Sequence, residues 1–126
     1  MNNIESNKGE IVMYQPDETI RLEVRVENET VWLTQQQMAD LFQSTKQNVS
    51  LHVKNIFREG ELEEISVVKD SLTTAADGKK YKTKLYNLDV IISVGYRVKS
   101  KRGTIFRQWA KKRVLTLKLH LRQCSM

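Results

Sequence analysis

Ile20, Leu22, Val24 and Val26 alternate with Arg21, Glu23 and Arg25, the two-residue period of a strand with one buried face. With Ile11 to Tyr14 before it and a turn around Gln15-Pro16-Asp17, the pattern predicts a β-hairpin. Glu27-Asn28-Glu29 reads as a second turn. Thr30 to Leu33 then forms a short strand, with Trp32 expected to cover the hairpin's apolar face and the helix that follows.

At Thr34 the period becomes helical. Thr34 as N-cap and Gln37 three residues on make a capping box, and Leu33 and Met38 flank it as a hydrophobic staple. The signal repeats with Ser44 as N-cap and Gln47 at the third helical position, so the first helix must stop near Phe42 or Gln43. Met38, Ala39, Leu41 and Phe42 give the first helix its buried face; Val49, Val53, Ile56 and Phe57 do so for the second. Ala39 and Val49 fit the small and β-branched positions of two helices crossing at about 90–120°. Gln43 stands where such turns favour glycine, which counts against the match, because a left-handed turn residue pays for its β-carbon.

After Gly60, Glu61 to Glu64 form a charged connection anchored by Leu62 and Ile65. Val67 to Thr74 and Lys79 to Tyr86 flank Ala75-Ala76-Asp77-Gly78, a hairpin signal. In its second arm Tyr81, Thr83 and Leu85 point one way and Lys80, Lys82 and Lys84 the other. Asn87 caps a helix from Leu88 to about Val98, its stripe being Leu88, Ile91, Ile92 and Gly95. The loop Lys99 to Gly103 follows, and a last helix starts at Thr104 with Ile105, Phe106 and Trp109 as its apolar face. Together these elements predict an α+β, winged helix-turn-helix-like domain over residues 11–114, with an N-terminal β-hairpin and C-terminal helices. Residues 1–10 are expected to be disordered and residues 115–126 to form an atypical tail, in which Leu115, Leu117, Leu119 and Leu121 alternate in a β-like period.

Charge turns this outline towards a partner. The 126 residues carry a net charge of +6, but residues 1–78 hold 7 Lys/Arg against 14 Asp/Glu, whereas residues 79–126 hold 14 against 1. A half at +13 attracts polyanions, and nucleic acid fits better than an acidic protein or an anionic membrane. On the second helix of the pair Thr45, Lys46, Gln47, Ser50, Leu51 and Lys54 face outward, the positions that such helices place in the major groove. Gln47 suits adenine, Lys46 or Lys54 guanine or phosphate, and Leu51 a thymine methyl. Lys79, Lys80, Lys82 and Lys84 on the hairpin, and Lys99, Lys101 and Arg102 in the loop, are expected on phosphates. Duplex DNA is the expected partner and a homodimer a natural arrangement, although no dimer seam stands out. A solvated basic face, an edge strand guarded by lysines, or an adaptor gripping an acidic protein in the manner of an antirepressor or antitoxin are the competing readings.

Catalysis finds no support. His52 and His120 lack metal-ligand spacing, no phosphate-cradling glycine motif occurs, and the adjacent Glu63 and Glu64 do not form facing carboxylates. No enzyme activity, metal, cofactor or small-molecule substrate is expected. Cys124 is the single cysteine, no apolar run approaches the ~18 residues of a membrane span, and the first residues lack a signal peptide's apolar segment, so a cytoplasmic protein is expected.

The stretch from Val26 to Leu62, followed by Lys80 to Ala110 with its YNLDVIISVGYRV core and the later Arg102-Gly103, Phe106-Arg107 and Trp109-Ala110, resembles the N-terminal region of the bacterial virulence RhuM family. The resemblance spans roughly residues 11–110. It implies a DNA-binding protein, often encoded on mobile or pathogenicity-associated DNA, and some relatives carry a C-terminal Fic/Doc-type domain; with the helix pair, a transcriptional regulator or a mobile-element or virulence-associated factor is the expected role. No HxFxxGNxR-like motif occurs, so nucleotidyl transfer is not implied. Such proteins usually continue in a longer helical region after the position of Ala110, so a truncated or frameshifted end is expected here.

Overall fold

The computed structural model describes residues 10–74 and 76–124, the side chains of Thr73, Thr74 and residues 115–124 excepted. The elements are β1 (Glu10–Asp17), β2 (Ile20–Glu27), β3 (Thr30–Leu33), α1 (Gln35–Phe42), α2 (Lys46–Arg58), α3 (Glu64–Val67), β4 (Val68–Thr74), β5 (Lys80–Asn87), α4 (Leu88–Arg97) and α5 (Arg102–Cys124). The fold is α+β, and its strands form one antiparallel sheet in the order β1-β2-β3-β5-β4. Glu10 opens β1, so the expected disorder of residues 1–10 fails at Glu10, and residues 1–9 lie outside the described residues.

The two-residue period decides which side of the sheet is covered. Val12, Tyr14, Ile20, Leu22, Val24, Val26, Val31, Leu33 and Tyr86 are buried in one cluster with residues of α1, α2, α4 and α5. Trp32 has the opposite parity. It pairs with Arg25 and Asn87 on the other face of the sheet, away from α1, so the expected cover for the hairpin is supplied by the helices instead. There the indole N–H donates to the Glu27 carbonyl at 2.9 Å and the Lys69 ammonium lies 4.4 Å from the ring centroid. Lys69 also bonds Glu27 Oε2, while Glu27 Oε1 accepts no hydrogen bond and has the Arg25 guanidinium at 3.8 Å.

The first turn lies later than the sequence suggests. β1 continues through Pro16, with a register shift between Tyr14 and Asp17, and the chain reverses at Glu18-Thr19. An edge strand tolerates a proline because its missing N–H costs no ladder bond. Asp17 Oδ1 accepts from the Thr19 N–H at 2.8 Å and closes the turn.

α1 carries the expected capping box: Thr34 Oγ1 accepts from the Gln37 N–H at 3.1 Å and Gln37 Oε1 from the Thr34 N–H at 2.9 Å. Gln43 ends it in the left-handed conformation at φ 55°, and its N–H reaches the Ala39 and Asp40 carbonyls. The next N-cap is Thr45, not Ser44: its hydroxyl accepts from the Asn48 N–H at 3.0 Å. Ser44 instead accepts from the Asn48 side-chain amide at 2.8 Å. After Gly60, Leu62 packs against the core, but Ile65 is 89% exposed and anchors nothing; α3, which the charged sequence conceals, turns its Val67 inward instead.

α4 buries Val90, Ile91, Val94 and Gly95, with Ile92 and Leu88 only half-buried, so its stripe is rotated from the expected one. α5 starts at Arg102 rather than Thr104, and among its described side chains Phe106 and Ala110 are buried while Ile105 is exposed. Tyr14 packs edge-on against Phe106, with centroids 5.0 Å apart, and lies 4.9 Å from Trp109. This aromatic group fastens α5 to the sheet. Residues 115–124 continue the helix, against the β-like alternation of their leucines, because a helix already nucleated by a packed turn extends readily through Leu and Lys. No helix of the described residues is long and apolar enough to cross a membrane.

Candidate nucleic-acid interface

α2 packs on α1 and α4 through Val49, Val53 and Ile56, spaced so that the opposite side is left to solvent. Thr45, Lys46, Gln47, Leu51 and Lys54 are exposed and Ser50 is half-buried. No acidic residue lies between Lys46 and Arg58, and exposed Arg58 extends the cationic side beyond the residues singled out from sequence. Leu51, 55% exposed, is an apolar group with no place in the core. Thr45 has a different task from the one expected, since its hydroxyl is committed to the helix cap.

β5 brings Lys80, Lys82 and Lys84 to the side of the sheet that carries the helices. Tyr86 pairs with Val68 and Leu33 on the covered face, and at steps of two residues Lys84 pairs with Asp70, Lys82 with Leu72 and Lys80 with Thr74 on that same face. The alternation expected from sequence holds, yet Leu85 falls on the helix-free face beside Trp32's row. Lys82, Lys84 and Lys46 line one groove of about 400 Å³ with Thr34, Gln35, Gln36, Thr83 and Tyr86. Two of the three elements expected to meet a nucleic acid therefore share a surface.

Gln35, Gln36 and Tyr86 are not marked as site residues by sequence, because the capping box and the strand period that place them say nothing of the partner each meets across the fold. Gln35 Nε2 donates to the Tyr86 hydroxyl at 2.9 Å. Burial pushes the Tyr86 phenol above its ordinary value, so it stays neutral as a hydrogen-bonding group. The groove's lysines also have carboxylates nearby: Lys82 lies 3.7 Å from Asp70 and Lys84 3.6 Å from Glu64, both pairs largely exposed. Such pairs hold their lysines loosely.

Lys79 and Lys80 stand exposed at the hairpin's tip. There Asp77 accepts from the Lys79 N–H at 2.9 Å and from the Tyr81 hydroxyl at 3.2 Å, and Gly78 takes φ 84°.

The loop after α4 is not part of this groove. Lys99, at φ 56°, and Lys101 are exposed, but Lys99 lines a separate groove between α4 and α5. Arg102 turns away to donate to Thr19 Oγ1 at 2.9 Å, tying the start of α5 to the first hairpin. Arg97 donates to Glu59 and Glu61, each at 2.8 Å. Sequence places Arg102 in the basic loop, but neither the hydroxyl that engages it nor the carboxylates that engage Arg97 are visible there, because they come from distant positions.

These elements define an α+β protein whose outward basic helix and lysine-bearing hairpin share one groove. Residues 66–120 match the model of the virulence protein RhuM family, which bears out the family resemblance over that stretch. The matched segment takes in the hairpin, α4 and most of α5 and leaves out α1 and α2. No curated protein and no solved structure matches the chain.

Proposed function

We propose that this protein binds duplex DNA as a winged-helix-like domain, with α2 in the major groove and the β4–β5 hairpin as the wing on flanking phosphates. The observation that carries the reading is the shared groove of Lys46, Lys82 and Lys84 beside an outward helix face free of acid. The topology agrees. α1 and α2 stand in the chain between β3 and β4, and the strands lie in the order β3-β5-β4, an arrangement that sets a hairpin beside a helix pair. Gln47, Ser50, Leu51 and Lys54 read bases, Lys46 and the hairpin lysines hold phosphates, and the role is regulatory rather than catalytic.

Fluorescence anisotropy with duplex libraries tests this. Gln47→Ala changes which duplex is preferred, whereas Lys82→Ala weakens all duplexes alike and lowers the log–log salt slope by about 1. Failure of any duplex to bind better than an acidic protein at low salt would sink the DNA reading and leave the basic surface to a protein partner.

A further inference from the structure

The groove between α4 and α5 combines features that the duplex reading does not use. Tyr96 is 73% exposed on its wall, so its ring face is open to a ligand. Lys99 and Arg107 line the same groove, and no acidic residue does. Gly95 and Gly103 line it as well; a β-carbon built on Gly95 would lie 3.7 Å from the Gly103 Cα, so the two backbones meet with no side chain between them. Phe42 backs this crossing from the core side, its ring 3.1 Å from that same β-carbon position. A cleft with an exposed ring and two cations, held by a packed crossing, suits a ligand with a flat π-face joined to an anion.

We propose that this groove takes an unpaired nucleotide of a single nucleic-acid strand, with its base stacked on Tyr96 and its phosphates against Lys99 and Arg107. Stacking on an aromatic ring needs a splayed base, which a duplex does not offer, so the site is selective for single strands. Sequence alone does not show this platform, because Tyr96 lies in a helix whose apolar stripe gives no sign of which aromatic stays outside. The inference stands apart from the duplex reading proposed above: Lys99, which the sequence suggests for duplex phosphates, lies in this groove and not in the one shared by Lys46, Lys82 and Lys84.

The test is anisotropy titration of labelled oligothymidylate and of a duplex against the full chain and its Tyr96→Ala, Tyr96→Phe and Arg107→Ala variants. Tyr96→Ala is expected to weaken oligothymidylate binding about 10-fold, with Tyr96→Phe near wild type and the duplex affinity unchanged. Arg107→Ala is expected to reduce the single-strand salt slope by about 0.7. Circular dichroism and thermal melting check that each variant is folded. Absence of oligothymidylate binding to the wild-type chain at low salt overturns the proposal, as does a Tyr96→Ala variant within about twofold of wild type. Equal weakening of single strand and duplex by Tyr96→Ala also overturns it. Loss of duplex binding in Lys54→Ala with the Tyr96 effect intact would leave this site standing on its own.

Discussion

The ring of Phe42 lies against Gly95, so close that a β-carbon on that glycine would meet Phe42 Cζ at 3.1 Å. The contact sets how near α4 can come to the end of α1. Gly95→Ala would gain about 1 kcal/mol of helix propensity, but the buried ring has little room to yield and overpacking costs about 1–3 kcal/mol. Urea denaturation is expected to show a net loss of stability for Gly95→Ala. The double variant with Phe42→Leu should show a smaller loss than the two single changes added together, the signature of a direct clash.

Gln43 holds φ 55° where a β-carbon is strained. Gln43→Gly removes that strain and is expected to stabilise the protein by about 1 kcal/mol, measured as a higher thermal midpoint, with duplex binding unchanged. A lower midpoint would show that the glutamine side chain contributes more than its backbone strain costs.

Lys82 and Lys84 reach Asp70 and Glu64 at ion-pair distance in solvent. Exposed pairs are worth about 0.2–1 kcal/mol, so Glu64→Gln and Asp70→Asn are expected to leave the melting temperature nearly unchanged. Each should tighten duplex binding by up to about fivefold, because the freed lysine no longer shares its charge. Weaker binding in these variants would remove the hairpin from the interface.

The Arg97 guanidinium, and after it the Ser93 hydroxyl, hold the Glu61 carboxyl below its ordinary value. A depressed carboxylate stabilises the fold above its unfolded pKa, and the contribution disappears as pH falls through the folded one. Wild type and Arg97→Gln are therefore expected to differ in urea midpoint at neutral pH and to converge below the carboxylate range. A gap that persists in acid would assign Arg97 a packing role in place of a charge role.

Much of this arrangement was legible in the chain, and the reasons differ by element. Thr34 and Gln37 announce α1 because a capping box is wholly local, and the alternation of Ile20 to Val26 places β2 for the same reason. Local patterns fix an element but not its neighbours. Trp32 takes the face opposite to the one its apolar character suggests, because parity within a four-residue strand acts only once the sheet is assembled. Ser44 and Thr45 both satisfy the N-cap chemistry, and the choice between them rests on where the preceding turn delivers the chain. The outward side of α2 followed from helical period, whereas the groove it shares with β5 depends on strand order, which no periodicity encodes.

The seam between β3 and β5 consists of two residue pairs, Trp32 with Asn87 and Leu33 with Tyr86, while the β4–β5 ladder on its far side runs from Val68–Tyr86 to Thr74–Lys80. Mechanically the sheet is two stiff ribbons joined at a narrow waist. On the helix-free face Lys69 crosses that waist to Glu27, with Trp32 beneath its ammonium. A load applied at the tip of the second ribbon acts through a long lever on this short joint, so the angle between ribbon and α2 is held by a side-chain strap as well as by backbone pairing. The strap thus adds a side-chain tie to the two residue pairs through which the lysine-bearing ribbon meets the rest of the sheet.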